Sequence, residues 1–428
     1  MNMINVRRLA VMTFLGAGML SDISAQDFSL QADTLNEARL PAQWDLQSCI
    51  DYALEQNITI RKNRVTAEST QIDVKTAKAA LFPSLSFSTS QQVVNRPYQE
   101  TSSRVSGSEI ISSNSKTSYN GNYGLNASWT IYNGSKRLKT LKQERLNNQI
   151  AELDVATSEN TIKESIAQIY IQILYAAESV RVNENTLQVS IAQRDRGQEL
   201  LNAGSIAKSD LAQLEAQVST DRYQLVTAQA TLQDYKLQLK QLLELDGDNE
   251  MNVYLPKLSD ENVLAPLPAK KDVYVSALAI RPEIEASKLN VEASELGIDI
   301  AKSSYFPTIS LSAGIGTNHT SGSDFTFGEQ VKNGWNNSFG LSVSVPIFNN
   351  RQTKSAVQKA KLQRETNMLS LLDEQKALYK TIESLWLDAN SAQQRYAAAN
   401  EKLRSTQISY DLISEQFNLG MKNTVELL

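Results

Sequence analysis

Tyr119–Asn133 reads YNGNYGLNASWTIYN, and its side chains alternate with a period of two. Tyr119, Tyr123, Leu125, Ala127, Trp129 and Ile131 fall on one face of an extended strand. Asn120, Asn122, Asn126, Ser128 and Thr130 fall on the other. The same alternation recurs near the C-terminal end of the chain. There Trp335, Phe339, Leu341, Val343, Val345 and Ile347 stand against Asn336, Ser338, Ser342 and Ser344. Two shorter segments agree, with Leu85 and Phe87 against Ser84, Ser86 and Ser88, and Ile309, Leu311 and Ile315 against Thr308, Ser310 and Ser312. Each segment approaches the ~9–11 residues of a tilted transmembrane strand. Tyr119 and Trp335 open their strands, and Trp129, Tyr132 and Phe348 lie near the opposite ends, as two interfacial aromatic girdles would.

Working outward, the pattern changes at once. No Gly or Pro occurs from Ser135 to Arg196, nor from Asn350 to Leu419. Ile162, Ile166, Ile169, Ile173, Ala176 and Val180 recur at alternating steps of four and three. Leu378, Ile382, Leu385, Ala389, Ala392, Tyr396, Ala399 and Leu403 continue that rhythm in the second stretch. A strict heptad predicts a left-handed coiled coil. A helix over Ser135–Leu201 would reach ~100 Å at ~1.5 Å per residue. Beyond Gly204, Leu211, Leu214, Val218, Leu225, Leu232, Leu239 and Leu242 keep heptad-compatible spacing, so a helical hairpin with a glycine at its tip is expected.

The chain is a tandem repeat. Ala53–Pro83 aligns without gaps with Ala277–Pro307 at an offset of 224, including Ala77/Ala301, Lys78/Lys302, Phe82/Phe306 and Pro83/Pro307. At an offset of 216, Ile131-Tyr132-Asn133 matches Ile347-Phe348-Asn349, Leu187 matches Leu403, and Gly204 matches Gly420. Each unit reads as helix, strand, loop, strand, very long helix, tight turn and helix. The opening helices are expected over Leu46–Ala80 and Asp272–Ser304, each ended by Phe-Pro. Residues 1–25 read as an export signal: Arg7 and Arg8 precede an apolar Leu9–Leu20 that is too short to span a membrane, and Ser24-Ala25 precedes the expected cleavage point. The domains are therefore 1–25 signal peptide, 26–245 first repeat, 246–271 linker (with Pro256, Pro266 and Pro268) and 272–428 second repeat.

Composition narrows the function. The formal charge of −5, with no Lys/Arg run, argues against a nucleic-acid partner. One cysteine and one histidine leave neither a disulfide framework nor a Cys/His metal cluster. Cys49 is expected as a small buried hydrophobe and His319 as a loop residue. No phosphate loop, metal spacing or triad is present, so the chain is read as a non-enzyme without cofactor. Four strands cannot close a barrel, and open edges in lipid leave backbone groups unpaired, so the chain must oligomerise to insert. The loop Asn95–Ser118, rich in Ser, Thr and Asn, is expected outside the cell. The alternative architecture is a trimeric coiled-coil surface protein, which would place strands at one end rather than between helices in two copies.

The order of these features in two copies resembles the TolC family of outer-membrane efflux proteins. The resemblance rests on the Leu46–Asn57 opening helix, the two Phe-Pro junctions, Arg281-Pro282-Glu283, Pro346-Ile347-Phe348-Asn349 and the tip glycines Gly204 and Gly420, and covers nearly the whole mature chain. It implies an α+β membrane protein: a homotrimer whose subunits each add two strands per repeat to a shared β-barrel, continued by a periplasmic α-barrel of coiled-coil helices. It implies a periplasmic adaptor and an inner-membrane transporter as partners, and export of small molecules or secreted peptides. It also implies a periplasmic gate at Asp210 and Glu426, six residues after each tip glycine, with Lys422 and Phe417 at the positions of a usual Arg and Tyr. Lysine there lacks the bidentate geometry of arginine, and phenylalanine lacks a hydroxyl. Set against the first unit, the second is expected to be C-terminally incomplete, ending at Leu428 about one turn after its tip.

Overall fold

The computed structural model describes residues 41, 43–98, 102–106, 109–113, 116–245, 251–256, 263–321, 325–419 and 421. The expected export signal, Gly420, Lys422 and Glu426 lie outside these residues, as does the side chain of Phe417.

The repeat is legible in the element boundaries. The first unit opens with α1 (Leu46–Gln56) and α2 (Ile58–Ala79), and the second with α5 (Lys270–Ile280) and α6 (Pro282–Ser303). All four boundaries superpose at the offset of 224. Each opening segment was expected as one helix, and each is two. The break falls at equivalent positions, Asn57 and Arg281, where ψ is 125° and 120° respectively. Asn57 uses its side-chain oxygen to accept from the N–H of Thr59 at 2.9 Å, restarting the helix. Arg281 is held extended by the proline after it, and Pro282 then occupies the first helical position, where a missing N–H costs nothing.

The strands follow. β1 (Ser84–Asn95), β4 (Thr117–Asn133), β5 (Thr308–Thr320) and β6 (Asn336–Ser344) form one antiparallel sheet in the order β1-β4-β5-β6. The loop expected between the first two strands carries a separate hairpin, β2 (Ser102–Ser106) with β3 (Glu109–Ser113). Its counterpart in the second unit carries a short helix, α7 (Phe327–Asn333). Three strand details differ from the sequence reading. β6 stops at Ser344, so Val345 and Ile347 lie beyond it; Pro346 cannot donate to a ladder. A register shift between Thr130 and Tyr132 makes Tyr132, not Ile131, the partner of Ile309. His319 is not a loop residue but pairs with Gly121 inside β5.

The two 67-residue helices α3 (Lys136–Asn202) and α8 (Gln352–Asn418) are equivalent at the offset of 216. The strand-to-helix junctions before them share an unusual backbone. Gly134 and Ser135 in one, and Asn350 and Arg351 in the other, all have left-handed φ between 49° and 66°. At Gly134 only glycine fits, because a Cβ would lie 2.7 Å from the carbonyl oxygen of Ser303. After α3 the chain turns at Gly204 into α4 (Lys208–Leu242). α3 packs on α2, α4 and α6, and α6 in turn packs on α8.

The main core sits where α1 crosses the α3–α4 pair. Trp44, Cys49 and Ala53 pack with Ile166, Tyr170, Ile173, Leu239, Leu243, Met251 and Val253. Trp44 forms a parallel bridge with Val253, taking the carbonyl of Asn252 at 2.8 Å and giving its own to Tyr254 at 2.8 Å. As expected from its apolar neighbours, Cys49 is buried. Burial, with the carboxylate of Asp45 nearby, pushes its thiol up to about 12. The segment before α5 is strapped onto α8, where Gln393 donates to the carbonyls of Val263 and Ala265 at 2.9 and 2.7 Å. Lys270 pairs with Glu383 at 3.1 Å and lies 4.7 Å from the Trp386 ring centroid.

Candidate functional site

Two places carry the sequence-derived expectations: the four-stranded sheet and the helical hairpin tip. In the sheet, strand register turns four separate alternations into two continuous faces. Phe87 stands opposite Leu125, Leu125 opposite Ile315, Trp129 opposite Leu311, and Leu311 opposite Leu341. The other face aligns Ser84 with Ser128, Asn126 with Gly314, Ser128 with Ser312, and Ser312 with Gly340. Hydroxyls tie this face together: the Ser84 and Ser128 side chains meet at 2.8 Å, and Ser312 donates to the carbonyl of Gly340 at 3.3 Å. None of the four strands contains Asp, Glu, Lys or Arg.

Aromatic residues mark both ends of the apolar face. At the helix-proximal end the Trp129 indole donates to the carbonyl of Leu81 at 2.9 Å, beside exposed Phe82, Tyr305 and Phe306. At the far end stand Tyr119, Phe325, Phe327 and Trp335, all exposed. Such residues favour a boundary between apolar and wet surroundings. Among the described residues β1 and β6 are the edge strands, each with no strand on its outer side.

The hairpin tip is built by backbone chemistry. Gly204 has φ of 72°, with open space around it. The N–H of Ser205 reaches back to Leu200 O at 2.8 Å, and that of Gly204 to Leu201 O at 2.9 Å, which together close a Schellman turn. The second unit repeats the longer bond, from Met421 to Gln416 at 2.9 Å. Asp210 lies in the first turn of α4, where its carboxylate accepts from the Ala207 N–H at 3.2 Å and the Ser209 hydroxyl at 3.2 Å. Ala207 has no side-chain oxygen to return the bond, so this is one half of a capping box. An acid here also complements the helix dipole. Asp210 is thus described as a helix-start acid; the other three gate positions have no described side chain to set beside it.

One polar pair escaped the sequence reading. Asp221 is only 3% exposed. The Ser190 hydroxyl donates to one of its carboxylate oxygens, and Gln217 Nε2 to the other at 2.9 Å. Asp221 occupies the seam position between Val218 and Leu225, so the signal was a carboxylate on a heptad. Among the described residues no group of His, Cys, Asp and Glu could hold a metal ion, and no helix is long and apolar enough to cross a membrane.

A profile for the family described as "Outer membrane efflux protein" matches residues 49–244 and 273–428, once on each repeat. The chain is 24% identical over 271 residues to the outer membrane efflux protein BepC of Brucella suis, covering 63% of this chain and 56% of that one. It is 24% identical over 318 residues to the outer membrane protein TolC of Escherichia coli K12, covering 71% of this chain and 62% of TolC. The chain thus spans less than two thirds of the length of these relatives. Its fold matches a crystal structure of CusC with a TM-score of 0.74 at 20% identity, over 89% of this chain and 84% of that one. The structural match extends to the whole α+β arrangement of two repeats, two-faced strands and long helices. The chain belongs to the outer membrane efflux protein family, and membership places it in the outer membrane.

Proposed function

We propose that this chain is one subunit of a duct that crosses the outer membrane as a shared β-barrel and continues inward as a helical tube. In this reading three copies contribute twelve strands, a periplasmic adaptor and an inner-membrane transporter complete the machine, and small molecules or secreted peptides pass through. The duct performs no chemistry; the transporter supplies the energy. Residues 1–25 would be removed on export, leaving repeats 26–245 and 272–428 joined by the linker 246–271.

The observation that carries this reading is the uncharged two-faced sheet with both edges open. A lipid-facing side of Leu, Ile, Phe and Trp and a water-facing side of Ser, Asn and Gly is what a barrel wall requires. An unpaired edge is costly in hydrocarbon, so each sheet must join another. From Tyr119 to Trp129 the strand rises about 33 Å, or about 25 Å along the membrane normal at ~40° tilt, the height of such an apolar band. Asp210, Phe417, Lys422 and Glu426 are proposed to narrow the tube near its inner end. The test is membrane fractionation followed by electrophoresis with and without heating. A heat-modifiable oligomer in the outer-membrane fraction is expected; a soluble monomer would overturn the proposal.

A further inference from the structure

Among the described residues the second repeat carries a feature that the first does not, and it sits on the apolar side of the sheet. β5 continues past the point where β6 first pairs with it, at Gly316, so among the described strands Thr317–Thr320 have β4 alone as a neighbour. The helix α7 folds back over this stretch. Thr317, in the row that carries Leu311 and Ile315, donates its hydroxyl to Val331 O at 2.7 Å. The side-chain oxygen of Gln330 takes the N–H of Thr320 at 2.8 Å, closing part of the open edge. His319, next along the same row, presents its ring edge-on to Phe327 with centroids 5.1 Å apart, and stacks on Tyr123 at 6.0 Å.

The seat for this imidazole is cut into the neighbouring strand. Gly121 lies opposite His319, and a Cβ there would stand 2.1 Å from the ring. Gly121 therefore interrupts the row of Tyr119, Tyr123 and Leu125 so that His319 can lie flat and carry α7. Among the described residues Nδ1 of His319 is buried without a hydrogen-bond partner, so this contact is a packing one. The helix is well terminated: Thr326 and Glu329 form a reciprocal capping box, with the Thr326 N–H to Glu329 at 2.8 Å. A seven-residue helix that is capped, edge-bonded and seated on a histidine holds a fixed position despite its length.

What it displays is aromatic. Phe325, Phe327 and Trp335 are exposed around α7, with Trp335 57% exposed, and Lys332 is exposed in the last turn. We propose that α7 and these aromatic residues form a lipid anchor, seated at the boundary between acyl chains and headgroups of the outer leaflet. The partner is lipid, because the patch continues the apolar row of Leu311, Ile315 and Thr317 without a break at the end of the sheet remote from the long helices. Aromatic rings favour that depth, and a lysine beside them complements lipid phosphate. The anchor rests on the proposed lipid-facing role of the sheet.

The test reads tryptophan depth in the full-length protein reconstituted into phosphatidylcholine vesicles. Brominated lipids carry the quencher either near the headgroup or near the chain end. The Trp335 signal is the difference between the unaltered protein and Trp335→Phe, and the Trp129 signal is obtained likewise from Trp129→Phe. Both substitutions keep an aromatic ring at the position, Trp129→Phe giving up the indole bond to the Leu81 carbonyl, and circular dichroism checks that each variant is folded. Stronger quenching of Trp335 by the shallow bromine than by the deep one, with little quenching by aqueous iodide, is the expected result. Trp335 quenched by iodide and not by lipid, while Trp129 is quenched by lipid, would overturn the anchor and leave the barrel wall intact. Lipid quenching of neither residue would refute the lipid-facing reading of the sheet, and the anchor with it.

Discussion

Placing a lysine at Leu125 separates the two faces of the sheet most sharply. Leu125 lies between Phe87 and Ile315 on the apolar face, four residues from Trp129 and six from Tyr119. If those aromatics mark the membrane boundaries, Leu125 is near the midplane. A lysine there costs about 2–4 kcal/mol per subunit, and falls to about 0–1 kcal/mol near an interface. Leu125→Lys should therefore lose about 2–4 kcal/mol per subunit, roughly a 30- to 800-fold shift in the insertion equilibrium. Three copies raise the loss to about 6–12 kcal/mol for the assembly. Asn126→Lys, one residue along and on the opposite face, should cost little, because its side chain would reach water. Trp129→Lys should fall between them, since it sits at the boundary but loses its bond to the Leu81 carbonyl. The assay is the yield of heat-modifiable oligomer in the outer membrane at matched expression, with urea unfolding of the reconstituted protein for magnitudes. Equal yields for Leu125→Lys and Asn126→Lys would show that the two faces do not divide lipid from water.

Three further outcomes follow from particular contacts. Ser190→Ala should cost about 1–3 kcal/mol in thermal unfolding followed by helical circular dichroism, because Asp221 stays buried without its hydroxyl partner; Ser190→Ala with Asp221→Leu should recover most of that loss. Cys49 should resist maleimide at pH 8 in the folded protein and react after denaturation, since burial raises its pKa to about 12 and suppresses the thiolate; rapid native labelling would contradict the packing around Trp44 and Leu239. In planar bilayers, trivalent cations added from the periplasmic side should block the channel, and Asp210→Ala should weaken the block; an unchanged block in Asp210→Ala with Glu426→Ala would leave Asp210 as a helix-start acid alone.

The sequence by itself determined which residues share a face. Strict alternation over Tyr119–Trp129 and the matching offsets of 224 and 216 defined the strands and both repeats, and the heptads defined the long helices. These signals are local: they follow from a strand period of two and a helix period near 3.6. The helix break at Arg281 had a signal in the proline that follows it, although the segment Asp272–Ser304 was expected as one helix. What lies opposite a face is a pairwise property, and only the tertiary structure decided it. Leu187 and Leu403 occupy the same repeat position on helices of equal length, yet Leu187 is 8% exposed and Leu403 66%. The helix that carries the first has α4 packed along it, whereas α8 meets α5 and α6 and has no counterpart of α4 among the described residues. His319 shows the same limit: surrounded by Thr, Gly and Asn it reads as a loop residue, and it joins the sheet because Gly121, far away in the chain, leaves room for its ring. The Asp221 carboxylate likewise sits on a seam whose meaning depends on Ser190 across it. Periodicity records the direction in which a side chain points, whereas burial, pairing and strain depend on the residue it meets there.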